Sequence, residues 1–248
     1  KEVIMKEDKV SEMAYHYPDG LSAVYSRPKV MQWMGSIPRD YSSYYKKTWR
    51  KEQWKNLGML TGGTLLLWAF DDQILHGAQD FGRAIHLAGT DHQKTIVESR
   101  FKLFGQSVGL QLNVPSDLNS GFYFLGDGWT HTTIALSFWV TGLVTKDYRT
   151  LSTASQLREC IITTGIATQF LKHITGRESP FTSTTPRGKW RFFPNQKEYA
   201  NHVPNHDAYP TGHLATAMAV LTVISENYPE KKYIKPIGYG VMGLLGYA

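Results

Sequence analysis

At 248 residues the chain has room for one large domain or two small ones, and an apolar content of 42% supplies an ordinary globular core. Its 27 Lys and Arg against 21 Asp and Glu give a net charge of +6, which favours anionic partners. The positive charge forms no continuous stripe, so nucleic acid is set aside as a partner. The only cysteine, Cys160, excludes an internal disulfide and a thiolate metal site.

Residues 1–43 carry mixed charge and turn signals at Tyr17-Pro18-Asp19-Gly20 and Arg27-Pro28. They read as an N-terminal extension with one short helix. The first residue is Lys1 rather than Met, which points to a processed or trimmed chain, and the absence of a signal peptide says nothing of a precursor. Residues 44–248 read as a helical domain. Trp49, Trp54, Leu57 and Leu60 open an amphipathic helix that becomes apolar all round over Leu65–Phe70, as buried or lipid-facing helices do. Asp71-Asp72 reads as its solvated end. His92–Leu112 is predicted as a further helix, with Ile96, Phe101, Phe104 and Val108 as its stripe. Asp127 is the predicted N-cap of a helix over Trp129–Thr145.

Thr153-Ala154-Ser155-Gln156 matches a capping box for the next helix, whose stripe is Leu157, Ile161, Thr164, Thr168 and Leu171. Gly176 is its predicted left-handed C-cap. A long loop rich in Pro, Thr and basic residues then runs to Pro210, and loops of such length are usually functional or disordered. A helix follows from Gly212 and ends before Pro229. The last segment, Ile234–Ala248, is apolar and glycine-rich. Gly128–Thr145 and Ala208–Ser225 reach the roughly 18 residues of a short membrane span. Both are diluted by Thr, Ser, His and Gly and read as buried core helices. No strand alternation is read, so the predicted fold class is all-α.

The chemistry concentrates between Lys172 and His213. Lys172 lies in the last turn of one helix, where a lysine alone is an ordinary partner of the dipole. Thr211 and Gly212 open the next helix, whose first N–H groups and positive dipole end make an anion site. His213 is a candidate acid–base group beside it. His202 and His206 have the spacing of a zinc helix and Asp207 is a possible further ligand, but Pro204 between the histidines breaks the helix, and no metal is assigned.

The order of these parts resembles the type 2 phosphatidic acid phosphatase superfamily, which includes lipid phosphate phosphatases, bacterial class A acid phosphatases and vanadium haloperoxidases. The family's first motif is Lys, six residues, Arg-Pro, and here Lys172 is followed by six residues and Ser179-Pro180. The second is Pro-Ser-Gly-His, and here it is Pro210-Thr211-Gly212-His213. The third, Ser-Arg, five residues, His, three residues, Asp, does not occur in residues 1–248. The chain stops inside an apolar run, which points to continuation past Ala248, the other reading being a protein without the nucleophile.

The resemblance implies a helical bundle of that family and a phosphatase of phosphomonoesters, pyrophosphates or lipid phosphates working through a phosphohistidine, without a cofactor. Lys172, Arg177, Thr211 and Gly212 would bind phosphate and His213 would act as general acid. Ser179 replaces the motif arginine, so Arg177, Arg187 or Arg191 would supply its charge. The alternatives are a non-catalytic anion-binding module and a vanadate-dependent haloperoxidase. Interleaved aromatic and basic residues, Tyr44-Tyr45-Lys46-Lys47 and Trp49-Arg50-Lys51, suit a headgroup interface. The expected location is therefore the periplasm or cell envelope of a bacterium, at a membrane surface.

Overall fold

The computed structural model describes residues 2–6, 9–18, 20, 22–29, 31–86, 93–103, 106–183, 185 and 188–247. Helices dominate it and the all-α class holds, with two small antiparallel sheets added. The first corrects the reading of residues 1–43. Strands β1 (Glu2–Lys6), β2 (Lys9–His16) and β3 (Ser22–Ser26) pair in chain order, with Val3 opposite Met13 and Ala14 opposite Val24. The predicted turn is real, since the Gly20 N–H donates to the Tyr17 carbonyl at 3.1 Å. Met13, Ala14 and Tyr15 are buried. Helix α1 (Gln32–Thr48) then runs unbroken across residues 43 and 44.

The second sheet corrects the predicted helix over 92–112, of which His92, Phe104 and Gly105 lie outside the described residues. β4 (Gln93–Leu103) pairs with β5 (Gln106–Pro115) as a hairpin, Ser99 opposite Leu110. Two sequence signals account for it. Thr95, Ile96 and Val97 are β-branched, and Val108, Leu110, Leu112 and Val114 recur with a period of two. The helical stripe drawn from Phe101 and Val108 was a coincidence of spacing.

The apolar run from Trp54 is divided at Phe70 into α2 (Trp54–Ala69) and α3 (Asp71–Ala84). α2 buries none of its residues, and Leu65, Leu66 and Trp68 are each more than half exposed. Asp71 is not a solvated helix end but opens α3 and accepts from Arg177.

The bundle proper comprises α4 (Leu118–Leu125), α5 (Gly128–Val144), α6 (Tyr148–Thr175), α8 (Gly212–Asn227) and α9 (Ile234–Tyr247), with the short α7 (Gln196–Asn201) in the long loop. α6 is the centre. It packs on α5 and on α8, α9 closes over α8, and α4 meets α9. Leu151, Leu157, Val220, Leu221 and Leu245 form the core. α5 and α6 approach closely at Gly142, where a Cβ would stand 2.8 Å from Leu151 Cγ. α5 itself is not the buried helix predicted, since only His131 and Gly142 are buried along it. Among the described residues no helix is long and apolar enough to cross a membrane.

Caps follow the side chains. Asp127 accepts from the Trp129 N–H at 2.8 Å, as predicted. The capping box at Thr153 is not used. Asp147 caps α6 instead, accepting from the Thr150 N–H at 2.9 Å, so the helix has already begun when Thr153 is reached. Thr153 is fully buried and donates back to the Arg149 carbonyl at 2.9 Å.

α1 lies along α6, where Tyr41 Oη donates to the Thr163 carbonyl at 2.7 Å. At this contact burial, then the neighbouring Asp40 carboxyl, push the Glu159 carboxyl up from 4.5 to about 7. Because the folded-state value is raised, the folded protein holds this proton more tightly than the unfolded chain. Stability therefore falls as pH rises from 4.5 through 7. Glu159→Gln is expected to raise Tm at pH 8 and to leave it unchanged at pH 4. An equal effect at both pH values would contradict the assignment.

Candidate active site

Thr168, Lys172 and Thr175 recur at helical spacing and share one face of α6. That face meets residues 207–212. Thr168 Cγ2 stands 3.7 Å from where a Cβ would sit on Gly212. Lys172 Nζ donates to Asp207 Oδ2 at 3.4 Å, and Thr175 Oγ1 donates to the Tyr209 carbonyl at 2.5 Å. The end of α6 and the start of α8 are thus brought together through Gly212.

Gly176 makes the turn out of α6. Its φ of 53° is left-handed, its N–H donates to the Lys172 carbonyl at 2.9 Å, and a Cβ there would lie 2.2 Å from the Arg191 carbonyl oxygen. Both the conformation and the contact therefore require glycine. Arg177 next bridges to Trp190 on one side and to Asp207 on the other, its carbonyl accepting from the Ala208 N–H at 3.0 Å. The loop of 177–210 is held by a core of its own, in which the Tyr199 ring stacks between His173 at 4.0 Å and His206 at 5.6 Å.

The predicted site residues divide. Lys172 is mostly buried, at 13% side-chain exposure, against Asp207. Arg177 reaches the other way, with its guanidinium on the Asp71 carboxylate and 5.5 Å from the Trp190 ring. It lines a cavity of about 340 Å³ with Asp72, His76 and Glu178, and Lys172 does not line it. The backbone of Arg177 is therefore at the site while its charge is directed to α3. Ser179 is buried, its N–H donating to the Pro204 carbonyl at 2.9 Å. Arg191 belongs to the loop frame, donating to the Asn205 carbonyl at 2.9 Å and reaching Glu178 at 3.4 Å. Burial pushes the Glu178 carboxyl up, but the Lys189 N–H and Arg191 outweigh it and hold it below the usual range. Arg187 lies outside the described residues.

Thr211 is the exposed N-cap of α8 and makes no side-chain capping bond. The N–H groups of the first turn have no acceptor inside the helix, so they can serve an anion. His213 turns towards the α4–α5 junction. Its ring stands 4.4 Å from that of Tyr123, and a Cβ on Gly126 would lie 2.9 Å from its Cδ2. His131 is buried there, and burial first, then its electrostatic interaction with His213, lower its pKa. Asp207, Asp71, Tyr123 and His131 are the neighbours that the sequence reading did not connect with the site. Asp207 was weighed there only as a metal ligand.

Residues 154–247 match the PAP2 superfamily. No curated protein and no solved structure matches the chain. The matched stretch opens at Ala154 in α6 and takes in Lys172, the long loop, Pro210-Thr211-Gly212-His213 and α9. The match supports PAP2 superfamily membership, in a phosphatase-like family, over residues 154–247.

Proposed function

We propose that the chain is a phosphatase of phosphomonoesters or pyrophosphates that binds the phosphoryl group between Lys172 and the start of α8. The observation that carries this reading is the packing of the Lys172 face of α6 on residues 207–212. A phosphoryl group there would meet the Lys172 ammonium, the Thr211 hydroxyl and the N–H groups of Gly212 and His213. His213 would give a proton to the leaving oxygen, a role suited to an imidazole because its ordinary pKa lies near neutrality. The nucleophile of the resemblance, a histidine separated from Ser-Arg by five residues, is not among residues 1–248. Ser179, standing where the resemblance has an arginine, favours a second reading, a module that binds phosphate without turnover.

Phosphate release from p-nitrophenyl phosphate, glycerol phosphate and pyrophosphate, with orthovanadate as inhibitor, separates the two readings. Turnover blocked by vanadate supports the enzyme, and vanadate binding without turnover supports the module. Neither binding nor turnover would remove both. In the same assay Lys172→Ala is expected to raise the vanadate concentration needed for inhibition, and Arg177→Ala, whose guanidinium is held by Asp71, is expected to raise it less. A silent Arg177→Ala would leave its charge to Asp71 and the α3 cavity. Asp207 competes with an incoming anion for Lys172, so Asp207→Asn is expected to tighten phosphate binding by roughly tenfold or less. A large weakening would mean that Asp207 instead positions the lysine.

We also propose that the protein works at a membrane surface of the cell envelope, which would make phosphorylated lipids accessible. α2 exposes its apolar side chains, and exposed Tyr44, Tyr45, Trp49 and Trp54 border Lys46, Lys47, Arg50 and Lys51. Such a pattern suits anionic headgroups. Cosedimentation with anionic phospholipid vesicles is expected for the protein and is expected to be lost on Leu66→Glu with Trp68→Glu. Recovery in the soluble fraction regardless of vesicle charge would refute it.

A further inference from the structure

The His213 ring rests on the junction of α4 and α5. Its centroid stands 4.4 Å from that of the Tyr123 ring, with the two planes tilted by 46°. Gly126, at the end of α4, is buried, and a Cβ there would lie 2.7 Å from His213 Cβ and 2.9 Å from His213 Cδ2. The Gly126 φ of −91° suits any residue, so glycine is required by the close approach alone. Both ends of α4 are tied. Asp117 and Ser120 cap its start reciprocally, the Ser120 N–H donating to Asp117 Oδ1 at 2.8 Å and the Asp117 N–H to Ser120 Oγ at 3.1 Å. At its other end Thr130 Oγ1 of α5 donates to the Phe124 carbonyl at 2.5 Å. Tyr123 is 37% exposed, so the core does not depend on its ring.

A histidine side chain turns about two torsions, and the second has only broad minima. The Tyr123 face limits the tilt of the imidazole and the Gly126 backbone limits its rotation, so its nitrogens are aimed in one direction. A general acid must also carry its proton, as an imidazolium, until the leaving oxygen takes it. The negative face of an aromatic ring attracts a cation within about 6 Å of its centroid, and the His213 ring lies inside that distance. We propose that Tyr123 is a positioning residue for His213, its ring holding the imidazolium in the orientation from which it protonates the leaving oxygen. The inference rests on the phosphatase reading and adds to it a residue outside the stretch of 154–247 that matches the family.

The test compares Tyr123→Leu with Tyr123→Phe in the full chain. Leucine keeps an apolar side chain and removes the ring face, whereas phenylalanine keeps the face. With glycerol phosphate, Tyr123→Leu is expected to lower kcat by about tenfold and to leave KM within about twofold, because Tyr123 is not among the groups that would meet the phosphoryl oxygens. The loss with p-nitrophenyl phosphate is expected to stay below about threefold, since that leaving group needs no proton. Tyr123→Phe should restore kcat on both substrates. Independently of turnover, the His213 Cε1 proton should resonate upfield in the unmutated protein and in Tyr123→Phe, and move downfield in Tyr123→Leu as the ring current is lost. Equal losses on the two substrates, a raised KM in place of a lowered kcat, no recovery in Tyr123→Phe, or an unmoved resonance in Tyr123→Leu would overturn the proposal. Turnover absent from the unmutated protein would remove the phosphatase reading and this role together. Turnover that depends on the leaving group in His213→Ala but not in Tyr123→Leu would remove the role of Tyr123 alone.

Discussion

His213→Ala is expected to lower turnover of an alkyl phosphate by about 10²–10⁴-fold, the usual contribution of a general acid. The same change should cost p-nitrophenyl phosphate far less. An alkoxide is a strong base and cannot leave without a proton, whereas p-nitrophenolate leaves unaided. The ratio of the two losses therefore reports on proton donation, and a residue that only supports the fold would lower both alike. The ring stands against Tyr123, beside the space that a Cβ on Gly126 would occupy. Truncation to alanine thus also opens a gap, and His213→Gln, which fills more of it, should reproduce the leaving-group dependence. Equal losses on both substrates would remove His213 from the acid role.

Arg149→Met is expected to cost about 3–5 kcal/mol of stability, the scale of breaking a buried ion pair by removing one partner. Arg149 is 7% exposed. Its Nε donates to the Asn227 carbonyl at 2.6 Å, and one terminal nitrogen reaches both oxygens of Glu230 at 2.9 and 2.8 Å. Its guanidinium lies over the Tyr228 ring at 3.9 Å and within 5.4 Å of Tyr15 and Tyr17. One side chain thus joins the N-terminal sheet, α6 and the turn between α8 and α9. Chemical denaturation should show a lower midpoint with an unchanged slope.

Burial raises the Glu230 carboxyl, but the Arg149 hydrogen bonds outweigh this and hold it below its ordinary 4.5. With the folded value lowered, its stabilisation is complete above pH 4.5 and is lost as pH falls through the lower value. Glu230→Gln should therefore destabilise at pH 7 and converge on the unmutated protein in strong acid. A loss that persists unchanged in acid would assign the effect to packing.

The helices that carry the site were legible because local chemistry marks them. Gly176 must be glycine where α6 turns, Asp127 caps α5, and Pro210-Thr211-Gly212-His213 opens α8. The motif order located Lys172 and His213 for the same reason, since both sit at helix ends fixed by short-range rules. What the sequence did not yield depends on distant partners. Asp71 is 106 positions from Arg177, and only the packing of α3 on the loop brings them together. Asp207 reads from the sequence as a possible metal ligand beside His206, and only the fold places Lys172 against it.

Secondary structure failed in the same way. Ile96, Phe101, Phe104 and Val108 fit a helical spacing, while the period-two run from Val108 to Val114 went unread. Thr153 fits a capping box by sequence, but Asp147 begins the helix earlier, and a threonine inside a helix can bond back to its own backbone. The N-terminal strands are short, and their pairing with one another and seating against Arg149 are tertiary events.

The central claim is that Lys172 and the start of α8 form one phosphoryl-binding site. Calorimetric titration of the protein with orthovanadate, compared with Lys172→Met, tests it without requiring turnover. Saturable binding that phosphate competes away, weakened by about tenfold or more in Lys172→Met, is the expected result for loss of a charge-assisted contact. Vanadate binding of equal strength in Lys172→Met, or none in the unmutated protein, would contradict it.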